Sequence, residues 1–184
     1  MKFIYNSEEE IQIFKKIKEQ FKEPSASLWQ HELENVRISA TTSSSVIKKI
    51  TKDWSKVEDN FLRKLGVFYE KVNLAPANLD VFLVRFTTYP YHYTQKGGWF
   101  CAPLFSPPAE RIRVVMHELC HFYQPKKLPK PIKEAIPIIL NDHDMFQMFS
   151  IDKGHNDEEE QKWRKIIWDG YKSGKTLSQI LQIQ

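Results

Sequence analysis

The residue spacing with the clearest chemical meaning is His117-Glu118-Leu119-Cys120-His121, in which two histidines stand four residues apart and a glutamate follows the first. Residues four apart on an α-helix project from the same face, so the two imidazoles can converge on one cation at Zn–N distances of roughly 2.0–2.1 Å. Glu118 projects to the adjoining side, where it can accept a proton from a water molecule on the metal without being a ligand itself. One helical turn thus supplies two metal ligands and a general base.

The segment around this motif predicts a helix over about residues 108–123. Pro107 and Pro108 are tolerated at a helix start, and Pro125 disfavours helical geometry at Gln124. The other members of the helix near the motif are apolar: Ile112, Val114, Val115, Met116, Leu119 and Phe122. Three ionisable groups in such an apolar helix need a partner, which a bound metal ion would supply. The ordinary alternative is that the two histidines and the glutamate lie on the surface and are solvated.

The motif on a helix that follows a strand resembles the zincin superfamily of metallopeptidases. For the matching residues, the resemblance implies that His117 and His121 bind zinc and that Glu118 activates the water. It also implies that the strand before the motif helix, about residues 99–105, lies at the edge of the cleft and aligns an extended peptide by strand addition. The match covers about residues 98–123, so it points to the catalytic type and leaves the substrate open.

A catalytic zinc normally has three protein ligands, and Glu134 is the first choice for the third. The residues that follow His121 exclude the extended third-histidine pattern of metzincins. Glu134 is the only carboxylate in the apolar segment 131–140, and a buried carboxylate requires a partner such as a metal ion. The Glu-Ala-Ile stretch at this point resembles the glutamate helix of gluzincins, which bind zinc through two histidines and a glutamate. An exposed glutamate in a first helical turn is the ordinary alternative.

His155 and His143 are the rival third ligands. His155 precedes an acidic stretch and then Trp163-Arg164, which resembles the third-histidine region of SprT-like proteases; as a lone histidine in a polar turn it would otherwise lie at the surface. The donor to a transition-state oxyanion has four candidates: His143, Tyr123, His92 and Tyr93.

Further helices and strands must hold the motif helix in place. A capping-box spacing at Ser7 and Glu10 predicts a helix over about residues 8–23. The Thr/Ser cluster 41–45 predicts a loop before a helix that carries apolar residues from Val46 to Leu65 and stops at Gly66. An extended stretch is expected at 36–38, strands at 79–88 and 99–105, and a loop between those two strands. The acidic run 157–160 predicts a helix that buries Trp163, Ile166, Ile167 and Tyr171.

Length and composition favour one α+β domain. With 184 residues, 41% of them apolar and 13% aromatic, the chain has enough material for a continuous core. We expect a zincin-like single domain over residues 1–184, in which a small mixed sheet packs on the motif helix. It comprises a helical region at about 1–75, the sheet and motif helix at about 79–124, and a second helical region at about 131–184.

Charge and cysteine usage narrow the function classes. The net charge of +4 comes from scattered lysines, so nucleic-acid binding is not indicated, and no apolar run is long enough to span a membrane. The N-terminus lacks the apolar core of a signal peptide, and Cys101 and Cys120 are expected to be buried thiols. The sequence therefore predicts a soluble, cytoplasmic zinc peptidase that acts on a peptide or protein substrate. The alternatives are an inactive zincin-derived binding module and an SprT-like protease acting on DNA-bound proteins.

Overall fold

The computed structural model of the chain describes residues 1–20, 33, 38–71, 74, 78–86, 91–94, 97–146 and 151–182. The chain forms two compact units, each of two segments: Met1–Trp54 with Ala77–Arg111, and Ser55–Pro76 with Ile112–Gln184. The single domain over residues 1–184 stays a prediction. Among the described residues, no helix combines the length and the apolar character that crossing a membrane requires.

A four-stranded mixed sheet lies in the first unit, and it confirms the α+β class. Its strands are β1 (Lys2–Ile4), β2 (Leu79–Val84), β3 (Tyr91–Thr94) and β4 (Gly97–Pro103). The order across the sheet is β1-β2-β4-β3, with β2 parallel to both β1 and β4, and β3 antiparallel to β4. Phe3, Val81 and Phe100 face one another in register on adjacent strands and are all buried, so they form one apolar face of the sheet.

Three sequence predictions about this sheet are wrong. β1 belongs to the sheet although a helical region was expected over residues 1–75, and its three residues are too few to show an alternating pattern. β3 lies inside the predicted loop; the neighbouring Pro90 and Gly97-Gly98 indicate a loop more strongly than the three β-forming residues of β3 indicate a strand. β4 was expected to lie at an edge that can add a peptide strand, but its residues 97–100 pair with β3 and its residues 98–103 pair with β2.

The first unit also contains two helices, α1 (Ser7–Gln20) and α2 (Ala40–Ser55). Asn6, and not Ser7, caps α1, because its Oδ1 accepts the backbone N–H groups of the second and third helical residues at 2.9 and 3.2 Å. Glu10, the predicted partner in a capping box, is instead buried and forms an ion pair with Arg85 at 2.9 Å. The predicted end of this helix at 21–23 and most of the extended stretch 36–38 lie outside the described residues.

The Thr/Ser cluster 41–45 is helical, which corrects the predicted loop. Ser39 caps α2 by accepting the Thr42 N–H at 3.1 Å, and the Ser43 hydroxyl donates to backbone carbonyls of the preceding turn. These bonds satisfy hydroxyl groups that usually favour turns. The single helix predicted up to Leu65 is divided, since α2 ends at Ser55 and the next helix begins at Glu58.

The second unit is helical and contains the motif. Its elements are α3 (Glu58–Phe68), α4 (Pro108–Tyr123, of which residues 108–111 belong to the first unit), α5 (Lys130–Ala135), a 3-10 helix (Ile136–Asn141), α6 (His143–Phe146), α7 (Glu158–Lys172) and α8 (Leu177–Leu181). The bounds of α4 confirm the predicted helix 108–123. α7 packs against α5, the 3-10 helix and α8, so it is the central support of this unit.

Two side chains hold the C-terminal end of α4. The Tyr69 hydroxyl donates to the Cys120 carbonyl at 2.9 Å, and the Lys71 ammonium donates to the Tyr123 carbonyl at 2.5 Å. Both carbonyls lie in the last turn of the helix; the Cys120 carbonyl also accepts the Gln124 N–H at 3.1 Å, and the Tyr123 carbonyl ends the helix, where side chains commonly supply the donor. The turn that bears His121 is therefore fixed from outside the helix.

Pro137 determines where α5 ends. Because proline has no N–H to continue the α-helical ladder, the chain tightens into the 3-10 helix from Ile136 onwards. Glu134 thus lies in the last turn of α5, not in its first turn as the ordinary alternative supposed.

The buried face of α7 differs from the predicted one. Ile167 is buried, whereas Trp163, Ile166 and Tyr171 are only half-buried. The other fully buried side chains of this helix are charged: Glu160 and Arg164, each 2% exposed. These two side chains hold in place the loop that precedes α7 and lies beside the candidate site.

Candidate metal centre

Within the described residues of the chain, one group of side chains is arranged to hold a metal ion: His117, His121 and Glu134. One ligand atom from each residue lies within 4.8 Å of the other two. All three residues are half-buried, and the His121 side chain is the least exposed of the three, at 7%. The residues come from α4 and α5, which belong to the same unit.

The distances within the group suit zinc. The two histidine Nε2 atoms are 3.0 Å apart, and His121 Nε2 lies 3.5 Å from Glu134 Oε2. Ligands at roughly 2.0–2.1 Å from a tetrahedral zinc ion stand about 3.3 Å from each other. These two distances bracket that value, and the atoms of the third pair, His117 and Glu134, lie within 4.8 Å of each other, so the side chains would have to close around the ion.

His117 has a carboxylate partner on its second ring nitrogen. Its Nδ1 lies 2.6 Å from Asp152 Oδ2, and the Asp152 side chain is only 2% exposed. If Nδ1 carries the proton and donates it to this carboxylate, Nε2 presents its lone pair to the ligand group. A carboxylate that orients a histidine in this way also makes the imidazole a stronger ligand.

Gln124 is the corresponding neighbour of His121. Its Nε2 lies 3.2 Å from His121 Nδ1, while its Oε1 is buried and has no hydrogen-bond partner among the described residues. A turn of the amide by 180° would let Oε1 accept the His121 Nδ1–H and would remove the unpaired oxygen. This orphaned atom therefore fits a His121 that uses Nε2 as a metal ligand.

The electrostatics of the group favour bound positive charge. Burial alone would lower the pKa of His117, but the hydrogen bond to Asp152 and the charges of Asp152, Glu118 and Glu134 outweigh it and raise that pKa. Burial and the neighbouring His117 lower the pKa of His121 to about 3, so His121 is neutral at pH 7. Carboxylates that stabilise a proton on His117 stabilise a metal cation at the same place.

Asp152 is held by a dense set of donors. Arg164 donates to its Oδ1 at 2.9 Å, the Gly154 N–H donates to the same atom at 3.1 Å, and Arg113 approaches Oδ2 at 3.3 Å. Burial would raise the pKa of Asp152, but the hydrogen bond with His117 and the charges of His117, Arg164 and Arg113 hold it well below its usual range. Asp152 is therefore ionised and fixed in position at neutral pH.

Glu118 lies in the motif but outside the ligand group. Its side chain is buried, with 7% of the residue exposed, and its charge acts on His117. Glu118 is therefore a buried carboxylate close to His117 that is not part of the group that could hold a metal ion. Cys120, in the same turn, is a buried free thiol whose pKa is raised by burial, so its sulfur stays protonated.

The rival third ligands do not join the group. His155 has a side chain that is 67% exposed, and its Nδ1 contacts Glu160 Oε2 at 2.8 Å. His143 begins α6 and is exposed.

Both cysteines, Cys101 and Cys120, are buried free thiols, as the sequence predicts.

The candidates for the oxyanion donor remain predictions. Burial and the charge of Glu58 raise the pKa of Tyr123 to about 12, so its hydroxyl keeps a proton to donate at neutral pH. His92 is exposed on β3, and the side chain of Tyr93 lies outside the described portion of the chain.

Sequence reasoning missed Asp152, Gln124 and Arg164. Asp152 stands in a polar loop, where aspartate is an ordinary turn residue, and its distance from His117 along the chain gives no signal. Gln124 is three residues after His121, one helical turn away, and that spacing could have indicated a contact. The hydrophobic pattern of an amphipathic helix does not indicate that one of its arginines, Arg164, is buried.

Neither a family model, nor a curated protein, nor a solved structure matches this chain. The resemblance to zincins consequently stays a prediction from the His-Glu-x-x-His motif.

Proposed function

We propose that this protein is a zinc-dependent metallopeptidase with His117, His121 and Glu134 as metal ligands. The observation that carries the proposal is the convergence of two histidine Nε2 atoms and one carboxylate, with each remaining Nδ1 next to a buried polar side chain. Two histidines and one glutamate form a donor set of catalytic zinc sites that leave a coordination position open. Structural zinc sites, by contrast, use four protein ligands, often cysteines, and the only cysteine in the motif is protonated.

Zinc in such a site supplies Lewis-acid chemistry, because it polarises a carbonyl group and lowers the pKa of water towards about 7. Glu118 accepts the proton of the attacking water and passes it to the nitrogen of the leaving amine. Asp152 and Gln124 fix the orientation of the two histidines, so the ligand atoms need little rearrangement.

The test compares the wild type with Glu118→Gln on a defined mixture of synthetic peptides, read by mass spectrometry. Glutamine keeps the size of the side chain but cannot accept the proton, so cleavage should fall by about 10²–10⁴-fold while zinc content stays at one per chain. Glu159→Gln is the matched control, because Glu159 is exposed on α7 and lies outside the ligand group.

Two results would contradict the proposal. Unchanged cleavage by Glu118→Gln would remove Glu118 from the mechanism. Absence of cleavage by the zinc-replete wild type across the whole mixture would favour the inactive binding module instead.

A further inference from the structure

A cavity of about 310 Å³ opens beside the metal centre. It shares His117 with the ligand group, and it is also lined by Asp152, Arg113, Lys153 and His155. The cavity lies entirely within the second unit, so its walls belong to one compact body. We call it the basic pocket.

The lining of the basic pocket carries an excess of positive charge. Asp152 is the only carboxylate among the lining residues that the structure describes, and both of its oxygens are already engaged by donors. Arg113 and Lys153 contribute two positive charges against this single negative one. Arg164, which is buried behind the loop, lies next to Asp152 and is balanced by Glu160, which also contacts His155 at 2.8 Å. The lining residues Arg113 and Lys153 against Asp152 therefore leave a surplus of one positive charge for an anionic group in the cavity.

The loop that forms one wall is rigidly held before any ligand arrives. Asn141 pairs with the Asp152 backbone through two hydrogen bonds of 2.7 and 2.9 Å, and the His155 N–H donates to Glu160 at 2.9 Å. Gly154 adopts a φ of +65°, and a Cβ there would come within 2.8 Å of the Arg164 guanidinium. A site that is ordered in advance loses little entropy when it binds a ligand.

We propose that the basic pocket binds a carboxylate group of the peptide substrate, an inference that rests on the proposed peptidase function. Because His117 lines both the pocket and the metal centre, a carboxylate held there places the substrate chain across the ligand group. The carboxylate comes from one of two sources, an acidic side chain close to the cleaved bond or the free C-terminus of the peptide. In both cases Lys153 is a specificity residue, since its ammonium group is exposed at the rim while its backbone carbonyl anchors Gln161.

The experiment uses fluorescent octapeptides in which one glutamate is moved through all positions, and matched peptides in which glutamine replaces it. Each peptide is made with a free C-terminus and with a C-terminal amide. Cleavage is measured with the wild type, with Lys153→Glu and with Lys165→Glu; Lys165 is exposed on α7 and does not line the pocket. Binding of the same peptides to zinc-loaded Glu118→Gln is measured by fluorescence anisotropy, which requires no turnover.

We expect peptides with glutamate at one position, or with a free C-terminus, to be cleaved and bound about fivefold better than their neutral counterparts. A partly screened charge pair provides an effect of this size. Lys153→Glu should abolish or invert this ratio, while Lys165→Glu should keep it. A preference that vanishes on amidation identifies the C-terminal carboxylate, and one that survives amidation identifies the side chain.

Failure of this inference and failure of the peptidase function give different results. Equal cleavage and equal binding of charged and neutral peptides would overturn the carboxylate pocket and leave the peptidase function intact. Charge-selective binding to Glu118→Gln without any cleavage by the wild type would support the pocket and overturn the peptidase function. A charge preference that Lys153→Glu leaves unchanged would also overturn the pocket.

Discussion

Replacing Asp152 with asparagine should weaken zinc binding and the stability of the second unit together. The amide has nearly the same shape, but it bears no charge and has one acceptor oxygen where the carboxylate has two. In the wild type these two oxygens serve His117, Arg164, Arg113 and the Gly154 N–H. Asparagine must turn its NH2 group towards some of these donors.

Two magnitudes follow from these contacts. Loss of a partner that orients a metal ligand typically lowers metal affinity by 10–100-fold, and we expect that range here. Breaking a buried ion pair costs about 3–5 kcal/mol, but Arg164 also contacts the Asp152 backbone carbonyl and lies near Glu160. Because these contacts remain, we expect the free energy of unfolding of the metal-free protein to fall by about 2–3 kcal/mol.

The pH dependence of this difference has a definite sign. The folded protein holds the pKa of Asp152 below its usual range, so the carboxylate stabilises the fold fully above its unfolded pKa of about 3.9. That stabilisation is lost as the pH falls towards the lower folded pKa. Asp152 also raises the pKa of His117, and that contribution is fully present below the unfolded histidine pKa of about 6.5 and is lost as the pH rises through the higher folded pKa. The gap between wild type and Asp152→Asn should therefore be widest between about pH 4 and 6.5 and narrow progressively below about pH 4.

Zinc affinity is measured by competition with a chromophoric chelator, and stability by urea unfolding of the metal-free protein. Asp169→Asn is the control, because Asp169 is exposed on the same helix as Arg164 and should leave both quantities unchanged. An Asp152→Asn protein with zinc affinity within twofold of the wild type would refute the orienting role. Unchanged stability would refute the structural role.

Three further predictions concern the ligands and their supports. Glu134→Gln should release zinc at chelator concentrations that the wild type withstands, whereas His155→Ala should retain it, and the reverse result would make His155 the third ligand. Gln124→Met should lower zinc affinity about tenfold, whereas Gln124→Glu, which keeps an acceptor for His121, should not. Equal losses in the two variants would show that the Gln124 side chain does not orient His121. Gly154→Ala should reduce the free energy of unfolding by about 1–3 kcal/mol in urea, because its φ is positive and its surroundings are filled. Gly174→Ala, with a positive φ but open space around it, should cost less, and equal costs would contradict the steric contribution.

The features that the sequence predicted well are local ones. The bounds of α4 follow from prolines on either side of an apolar helix, and the proximity of His117 and His121 follows from their four-residue spacing, while their role as ligands stays a prediction. Glu134 could be chosen because a single carboxylate among apolar residues needs a partner, and the structure brings it to 3.5 Å from His121. In each case, neighbouring residues carry all of the information that the prediction needs.

The features that were missed depend on contacts between distant segments of the chain. β1 exists because Phe3 pairs with Val81, and no pattern within three residues can indicate that pairing. Asp152 reaches His117 only because Arg164 and Asn141 hold its loop, and these supports are separated along the sequence. The position of Glu10 in the sequence predicts a capping box, but in the fold its side chain forms an ion pair with Arg85 instead.

The most direct test of the central claim is anomalous diffraction on either side of the zinc K-edge, from crystals of protein purified with zinc. We predict one anomalous peak per chain, at about 2.0–2.2 Å from His117 Nε2, His121 Nε2 and a Glu134 carboxylate oxygen. A zinc-replete crystal without a peak between these three atoms, or with its peak on a different set of ligands, would contradict the account.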